Sequence, residues 1–194
     1  MLAYAFPSMW FLGMGVAPRQ IFPAERYVIK AYGKNIIHKT DIGALKAGIE
    51  RQDVALEARR MRNRLLKHKP EGFLVQEQVP KGIEVIIGAK RDEQFGDTVM
   101  FGMGGVNVEL YRDISVRLCP VSNDDALEMM DEVKASRALD GFRGGPLVSR
   151  AMVAGIIKRV CSIMHANPGI REIDLNPVIL YQNSYYAVDV RVIR

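Results

Sequence analysis

The chain has 194 residues, 48% hydrophobic and 25% charged, which excludes a disordered or fibrous protein and leaves enough apolar mass for one domain, or a domain plus a lobe. A formal net charge of +5 suits anionic ligands such as nucleotides and phosphates, but is weak for a dedicated nucleic-acid binder. Cys119 and Cys161 show neither a CxxC pair nor metal-ligand spacing, and read as isolated thiols of a reduced, cytoplasmic protein.

The opening run "MLAYAFPSMWFLGMGVAP" is apolar, yet Pro7, Ser8, Gly13 and Gly15 interrupt it and Pro18 closes it. It falls short of the ~20 unbroken apolar residues of a membrane span. It also lacks the basic start of a signal peptide, so it reads as a soluble lead-in with no membrane role. "RYVIKAYG" (26–33) is a short strand with a lone lysine, Lys30, which is either a phosphate contact or an edge residue. A polar loop follows with His38 inside "KNIIHKTDIGAL". Residues 52–69 read as a helix stopped by Pro70, with Val54, Leu56, Met61, Leu65 and Leu66 at roughly helical spacing. Its basic residues, from Arg59 to Lys69, form a solvated face; no aromatic residues interleave to stack on bases.

The middle of the chain is strand-rich: "GFLVQEQV", "GIEVIIGAKR", "DTVMFGMG", "VNVELYRD" and "SVRLCPV" follow one another closely. Such short connections predict antiparallel pairing. Ser122 with Asp125 three residues on marks a helix start, with Ala126, Met129, Met130 and Val133 as its buried stripe. A second helix spans 149–166, burying Met152, Val153, Ile156, Ile157, Val160, Ile163 and Met164. The strands "IREIDLNPVIL" and "YYAVDVRVI" then form a hairpin. The fold class is α+β.

In the first strand of that hairpin Glu172, Asp174 and Asn176 alternate with apolar residues and so share one face. Pro177 suits a strand edge or end. Asp189 on the returning strand comes near the same face. Two carboxylates and an amide oxygen are hard donors of the kind magnesium takes beside nucleotide phosphates, and that stripe carries no lysine or threonine; a solvated polar stripe is the plainer alternative. Glu77 and Glu84 lie at strand ends, where glutamate is disfavoured unless exposed or used. "FGMGGV" is neither a dinucleotide fingerprint nor a P-loop. His68 and His165 read as surface histidines.

Taken in order, "VIKAYGKNIIHKTDIGAL", "LVQEQVPKGIEVIIGAKRDEQFGDTVMFGMGGVNVELYRDISVRLCPVS", "LDGFRGGP" and "REIDLNPV…AVDVRV" carry a resemblance. From about Tyr27 to Arg194 the chain resembles the ATP-grasp domain, or β subunit, of the NDP-forming acyl-CoA synthetases, the ADP-forming acetate–CoA ligases. The resemblance implies an ATP-grasp fold of mostly antiparallel sheets packed with helices. It also implies a truncated N-terminal lobe, because "PAERYVIK" follows "GMGVAPRQIF" where the family has a helix. The implied divisions are a lead-in over 1–26, a first lobe with a phosphohistidine loop over 27–72, and a second lobe over 73–194 with the nucleotide and magnesium site.

The implied roles are specific. Lys30 would contact nucleotide phosphates, Glu77, Gln78 and Val79 would line adenine, and Glu84 would hold the ribose. Arg117 and Arg143 would be further phosphate contacts. Asn176 and Asp189, with Asp174 alongside, would bind magnesium. His38 would carry a transient phosphoryl group between ADP/ATP and the CoA-binding α subunit or domain, which would supply acyl-CoA and CoA. A non-catalytic nucleotide-binding scaffold is the alternative within the family. A basic nucleic-acid module on the Arg59–Lys69 helix is the weaker alternative outside it.

Overall fold

The computed structural model describes residues 9–13, for which only the backbone is considered, and residues 24–36, 42–104 and 113–194. The described residues up to Pro80 form one compact unit and Lys81–Arg194 the other. The break falls later than the boundary at 72/73 read from the sequence, because the strand Gly72–Glu77 hydrogen-bonds to Tyr27–Tyr32 and stays with it.

The N-terminal unit is built on a four-stranded antiparallel sheet. Its strands are β1 (Met9–Gly13), β2 (Tyr27–Tyr32), β3 (Leu45–Ile49) and β4 (Gly72–Glu77), in the order β1-β4-β2-β3. Part of the lead-in is therefore strand: the run Met9–Gly13 pairs with β4 at the sheet edge. Helix α1 (Val54–Arg64) contributes Val54 and Met61, followed by Leu65, to a core with Tyr27, Ile29, Phe73 and Val75. Leu56 and Leu66, read as part of the apolar stripe, are exposed instead, and the buried position between Val54 and Met61 belongs to Glu57. A buried carboxylate needs partners, and Glu57 has Lys46 at 2.6 Å and Arg60 at 2.7 Å. Both hold its carboxyl below the usual glutamate range, Lys46 more strongly.

The C-terminal unit carries a six-stranded sheet. Its strands are β5 (Ile83–Asp92), β6 (Gly96–Met103), β7 (Ile114–Leu118), β8 (Glu172–Leu180), β9 (Tyr185–Ala187) and β10 (Val190–Ile193). The order is β10-β8-β5-β6-β7 with β9 also on β8, and every pairing is antiparallel, as the short connections predict. The expected strand "VNVELYRD" falls almost wholly on residues outside those described. Helices α2 (Asn123–Glu132) and α3 (Arg150–Ala166) pack on one face. Ser122 caps α2 through the expected reciprocal box: its hydroxyl accepts from Asp125 N at 3.1 Å, and its own N–H donates to the Asp125 carboxylate at 2.7 Å. The buried stripe Ala126, Met129, Met130 and Val133 is as expected, whereas Ile163 on α3 is exposed and Ala154 and Cys161 are buried. Gly104 of "FGMGGV" has a local use: a Cβ there would stand 2.7 Å from the Cβ of Glu84, whose carbonyl accepts from Gly104 N.

The cysteines are not isolated thiols. Cys119, just after β7, and Cys161, in α3, are joined as a disulfide with Cα atoms 5.5 Å apart. A separation of 42 residues leaves no local motif, so only the packing of α3 on the sheet brings the pair together.

Candidate functional site

The two faces of the C-terminal sheet differ in kind, and strand periodicity is the cause. On β5, Val85, Ile87 and Ala89 point at the helices, which leaves Ile86, Gly88 and Lys90 on the other face. Cross-strand register then sets the neighbours. Gly88 lies between Asp174 of β8 and Met100 of β6, with Val116 of β7 beyond; Lys90 lies between Glu172 and Thr98. These residues and Asn176 line an open depression of about 520 Å³.

β8 carries an irregularity in this stretch. Val85 pairs with Val178 but Ile87 pairs with Leu175, so β8 spends one more residue than β5 over the same span. The extra residue falls at Asn176–Pro177, a bulge that switches which face the strand presents. Pro177 is therefore neither at an edge nor at an end; it sits inside a central strand, where the bulge accommodates its missing N–H. Directly opposite, Asp189 fills the gap between β9 and β10, and its carbonyl accepts from Asn176 N at 3.1 Å.

The electrostatics of this stripe centre on Asp174. Partial burial pushes its carboxyl up, the charges of Glu172 and Asp189 push it further, and Arg191, its register partner on β10, pulls it down. Asp174 and Asn176 thus line one depression, and Asp189 reaches them through its carbonyl on Asn176 N and its charge on Asp174. The sequence reading missed Glu172's part in the field and the lysine and threonine on the same face. Lys90 and Thr98 stand there, supplied by strands far away in sequence. A signal for Lys90 existed in the Ile86–Gly88–Lys90 alternation within a buried strand.

The donor set fits a divalent cation. Among the described residues no three His, Cys, Asp or Glu side chains gather into a ready cage. Hard oxygens gathered here, with the Asp174 carboxyl pushed up by burial and by the charges of Glu172 and Asp189, are what a cation shared with phosphate oxygens would neutralise.

The remaining candidates sit on other elements. Lys30 is 4% exposed in β2, an interior strand, so it is not an edge residue. Glu77 ends β4, and the exposed Gln78 accepts from Gly48 N at 2.6 Å and donates its own N–H to the Arg26 carbonyl. Val79 is half-buried. Glu84 is exposed near the start of β5. Arg117 is committed elsewhere: from β7 it bonds Glu132 of α2, on the helix-covered face. That pairing, with the Ser115 hydroxyl, holds the Glu132 carboxyl down at about 2. The geometry thus gives Arg117 a structural task instead of a phosphate. Arg143 is exposed, has a left-handed φ of 54°, and lies over the Phe142 ring at 5.3 Å. His38 lies outside the described residues, but its segment is bracketed by anchored ones. Lys34 N donates to Glu71 at 3.1 Å on one side, and on the other Arg64 donates to the Gly43 carbonyl and Ala44 is buried.

A family model described as an ATP-grasp domain matches residues 21–193. The chain belongs to the ATP-grasp family. The β subunit of ADP-forming acetate–CoA ligase I from Pyrococcus furiosus is 42% identical over 171 residues, covering 86% of this chain and 74% of that one. ADP-forming acetate–CoA ligase I from Archaeoglobus fulgidus is 38% identical over 170 residues, but the match spans 25% of its length. The chain therefore belongs with the β subunits of these ligases and corresponds to about a quarter of the longer ones. Among solved structures it resembles dinucleotide-forming acetyl-coenzyme A synthetase 1 of Ca. Korarchaeum cryptofilum in complex with coenzyme A and Ca-AMPCP. The TM-score is 0.85 and the identity 38%, over 97% of this chain and 86% of that one. Another complex of that synthetase holds coenzyme A and Mg-AMPPCP, with its phosphohistidine segment pointing towards the nucleotide site. It matches with a TM-score of 0.72 and 42% identity, over 89% of this chain and 76% of that one. The ATP-grasp chain is thus of the nucleotide-binding ligase kind. Among the described residues no helix is long and apolar enough to cross a membrane.

Proposed function

We propose that this chain is the phosphoryl-handling subunit of an ADP-forming acyl-CoA synthetase, working on the net reaction acyl-CoA + ADP + phosphate ⇌ carboxylic acid + CoA + ATP. The observation that carries the reading is the face of the C-terminal sheet opposite α2 and α3, where Asp174 and Asn176 share a depression with Lys90 and an apolar floor of Ile86, Met100 and Val116. Asp174, Asn176 and Asp189 would hold magnesium, which supplies charge neutralisation on the phosphates. Lys30 and Arg143 are proposed phosphate contacts. Glu77, Gln78 and Val79 would face the adenine, and Glu84 the ribose. These residues orient the nucleotide, and positioning with charge neutralisation is most of what phosphoryl transfer asks of a protein.

His38 is the proposed acceptor. An imidazole with its ordinary pKa of about 6.5 offers an unprotonated ring nitrogen near neutral pH, which can attack the terminal phosphorus of ATP as the bond to ADP breaks. In the synthetic direction the N–P bond breaks and ADP takes the phosphoryl group. The CoA-binding α subunit or domain, with acyl-CoA and CoA, is the proposed partner, and the cytoplasm is the compartment where these substrates meet.

Radiolabelled γ-phosphate ATP with magnesium tests the reading. The wild-type chain should take up acid-labile, base-stable label, and His38→Asn should take up none while still binding nucleotide. Nucleotide binding with no label on the wild type would favour the non-catalytic scaffold. No nucleotide binding at all would overturn the reading.

A further inference from the structure

Resting on the nucleotide reading above, we infer that Lys90 is a phosphate-binding residue that contacts the terminal phosphoryl group of the nucleotide, a role that the sequence analysis gives to other residues. The argument starts from the layout of the face. Its β8 column is polar, with Glu172, Asp174 and Asn176; its β6 and β7 columns are largely apolar, with Met100, Val116, Ile114 and Leu118. A ligand with an apolar base and a charged tail has one way to satisfy both sides: base over β6–β7 and tail toward β8.

The tail must cross β5, and the side chains there decide where. Ile86 and Lys90 flank Gly88, which lies directly across from Asp174. A Cβ on Gly88 would meet nothing nearer than the Ile173 carbonyl at 3.4 Å and the Met100 methyl at 3.5 Å. Both are ordinary van der Waals contacts over a buried glycine; with no side chain of its own Gly88 keeps the face low there, so a phosphate chain can approach the β5 backbone beside the Asp174 carboxylate.

Charge then makes the assignment. Glu172 and Asp174 line the depression and Asp189 is tied to the neighbouring Asn176 backbone, so an incoming polyphosphate adds negative charge to an already acidic place. Arg191 answers from β10, on the far side of β8 from the crossing. Lys90 is the cation on the crossing strand itself, exposed and one step along the face from Gly88. Its neighbour Arg91 is not available, because it pairs with Asp97 at 2.7 Å and donates to the Met164 carbonyl at 2.7 Å. An ammonium so placed bonds a phosphate oxygen and offsets its charge.

The test is calorimetric binding of MgATP, MgADP and AMP to the full chain, wild type beside Lys90→Gln and Lys90→Arg, with melting curves to verify folding. Lys90 is exposed, so both variants should melt like the wild type. A charge-assisted hydrogen bond on a phosphate predicts that Lys90→Gln weakens MgATP about tenfold or more, leaves AMP within about twofold, and is largely rescued by arginine. Unchanged MgATP affinity, or equal loss for ATP and AMP, would overturn the role of Lys90 while leaving the nucleotide site intact. A wild-type chain that binds neither MgATP nor MgADP would overturn the nucleotide reading, and the assignment of Lys90 with it.

Discussion

The two faces of the C-terminal sheet are made from the same strands, often from adjacent residues, yet they obey different rules. On the helix side Val85, Ile87, Val99 and Phe101 are fully buried against α2 and α3, and the contacts are apolar. On the other side Ile86, Gly88, Lys90, Thr98 and Met100 border a polar stripe whose carboxylates repel one another. A two-residue period thus separates stability from the proposed ligand chemistry along a single strand. Substitutions on the helix side should register in unfolding, and those on the other side in binding.

The adjacent pair Phe101 and Met100 is the sharpest way to break that contrast. Phe101→Ala removes a fully buried ring and should cost about 3–5 kcal/mol. Met100→Ala, one residue away and only partly buried on the opposite face, should cost under about 1 kcal/mol. Urea unfolding of both variants measures this, and similar losses would mean that the outer face is also packed core. The disulfide comes next. It closes a loop with a separation of 42 residues at the end of β7, so reduction should lower stability by about 2–4 kcal/mol. A Cys119→Ser/Cys161→Ser variant should be as unstable as the reduced wild type and indifferent to reductant.

The clamp between β7 and α2 should show a smaller effect with a pH signature. The Glu132 carboxyl is held at about 2 by Arg117 and Ser115, below its unfolded range. The stabilisation this brings is present above the unfolded value of about 4.3 and is lost as pH falls through about 2. Glu132→Gln should therefore melt below the wild type at neutral pH, and the two curves should converge near pH 2. A gap that persists at pH 2 would mean that the loss is packing rather than charge.

The sequence exposed the parts of this molecule that rest on local periodicity. Close strand spacing predicted antiparallel sheets, Ser122 with Asp125 predicted the capped start of α2, and alternation put Glu172, Asp174 and Asn176 on one face. What it hid depends on register between distant segments. Lys90 becomes a neighbour of Glu172 only through the pairing of β5 with β8. Cys119 meets Cys161 only because α3 packs on the sheet. Arg117 looked like a phosphate contact until α2 supplied Glu132. Glu57 failed the apolar pattern because Lys46, on β3, compensates a carboxylate that the helix buries.

Asp174 should show the smallest stability effect, and one of opposite sign. Burial and the charges of Glu172 and Asp189 raise its folded pKa above the unfolded value, so the fold favours its neutral form. That contribution is complete below the unfolded value of about 3.9 and is lost as pH rises through the folded pKa. At neutral pH the ionised Asp174 is then a net cost, and Asp174→Asn should melt slightly higher than the wild type, with the gap closing as the pH falls to about 3.9. Magnesium-ADP should reverse the order. Binding to the native state adds about 2.7 kcal/mol at a hundredfold excess over the dissociation constant. The wild type would gain that increment, and the variant, lacking a charged donor, should gain far less. A variant that melts lower without ligand would show that Asp174 is held by favourable contacts. One that melts higher both with and without ligand would show that the carboxylate's destabilising charge serves no nucleotide. The predicted crossing follows if this face of the sheet keeps an electrostatic cost that only a bound cation and its phosphates relieve.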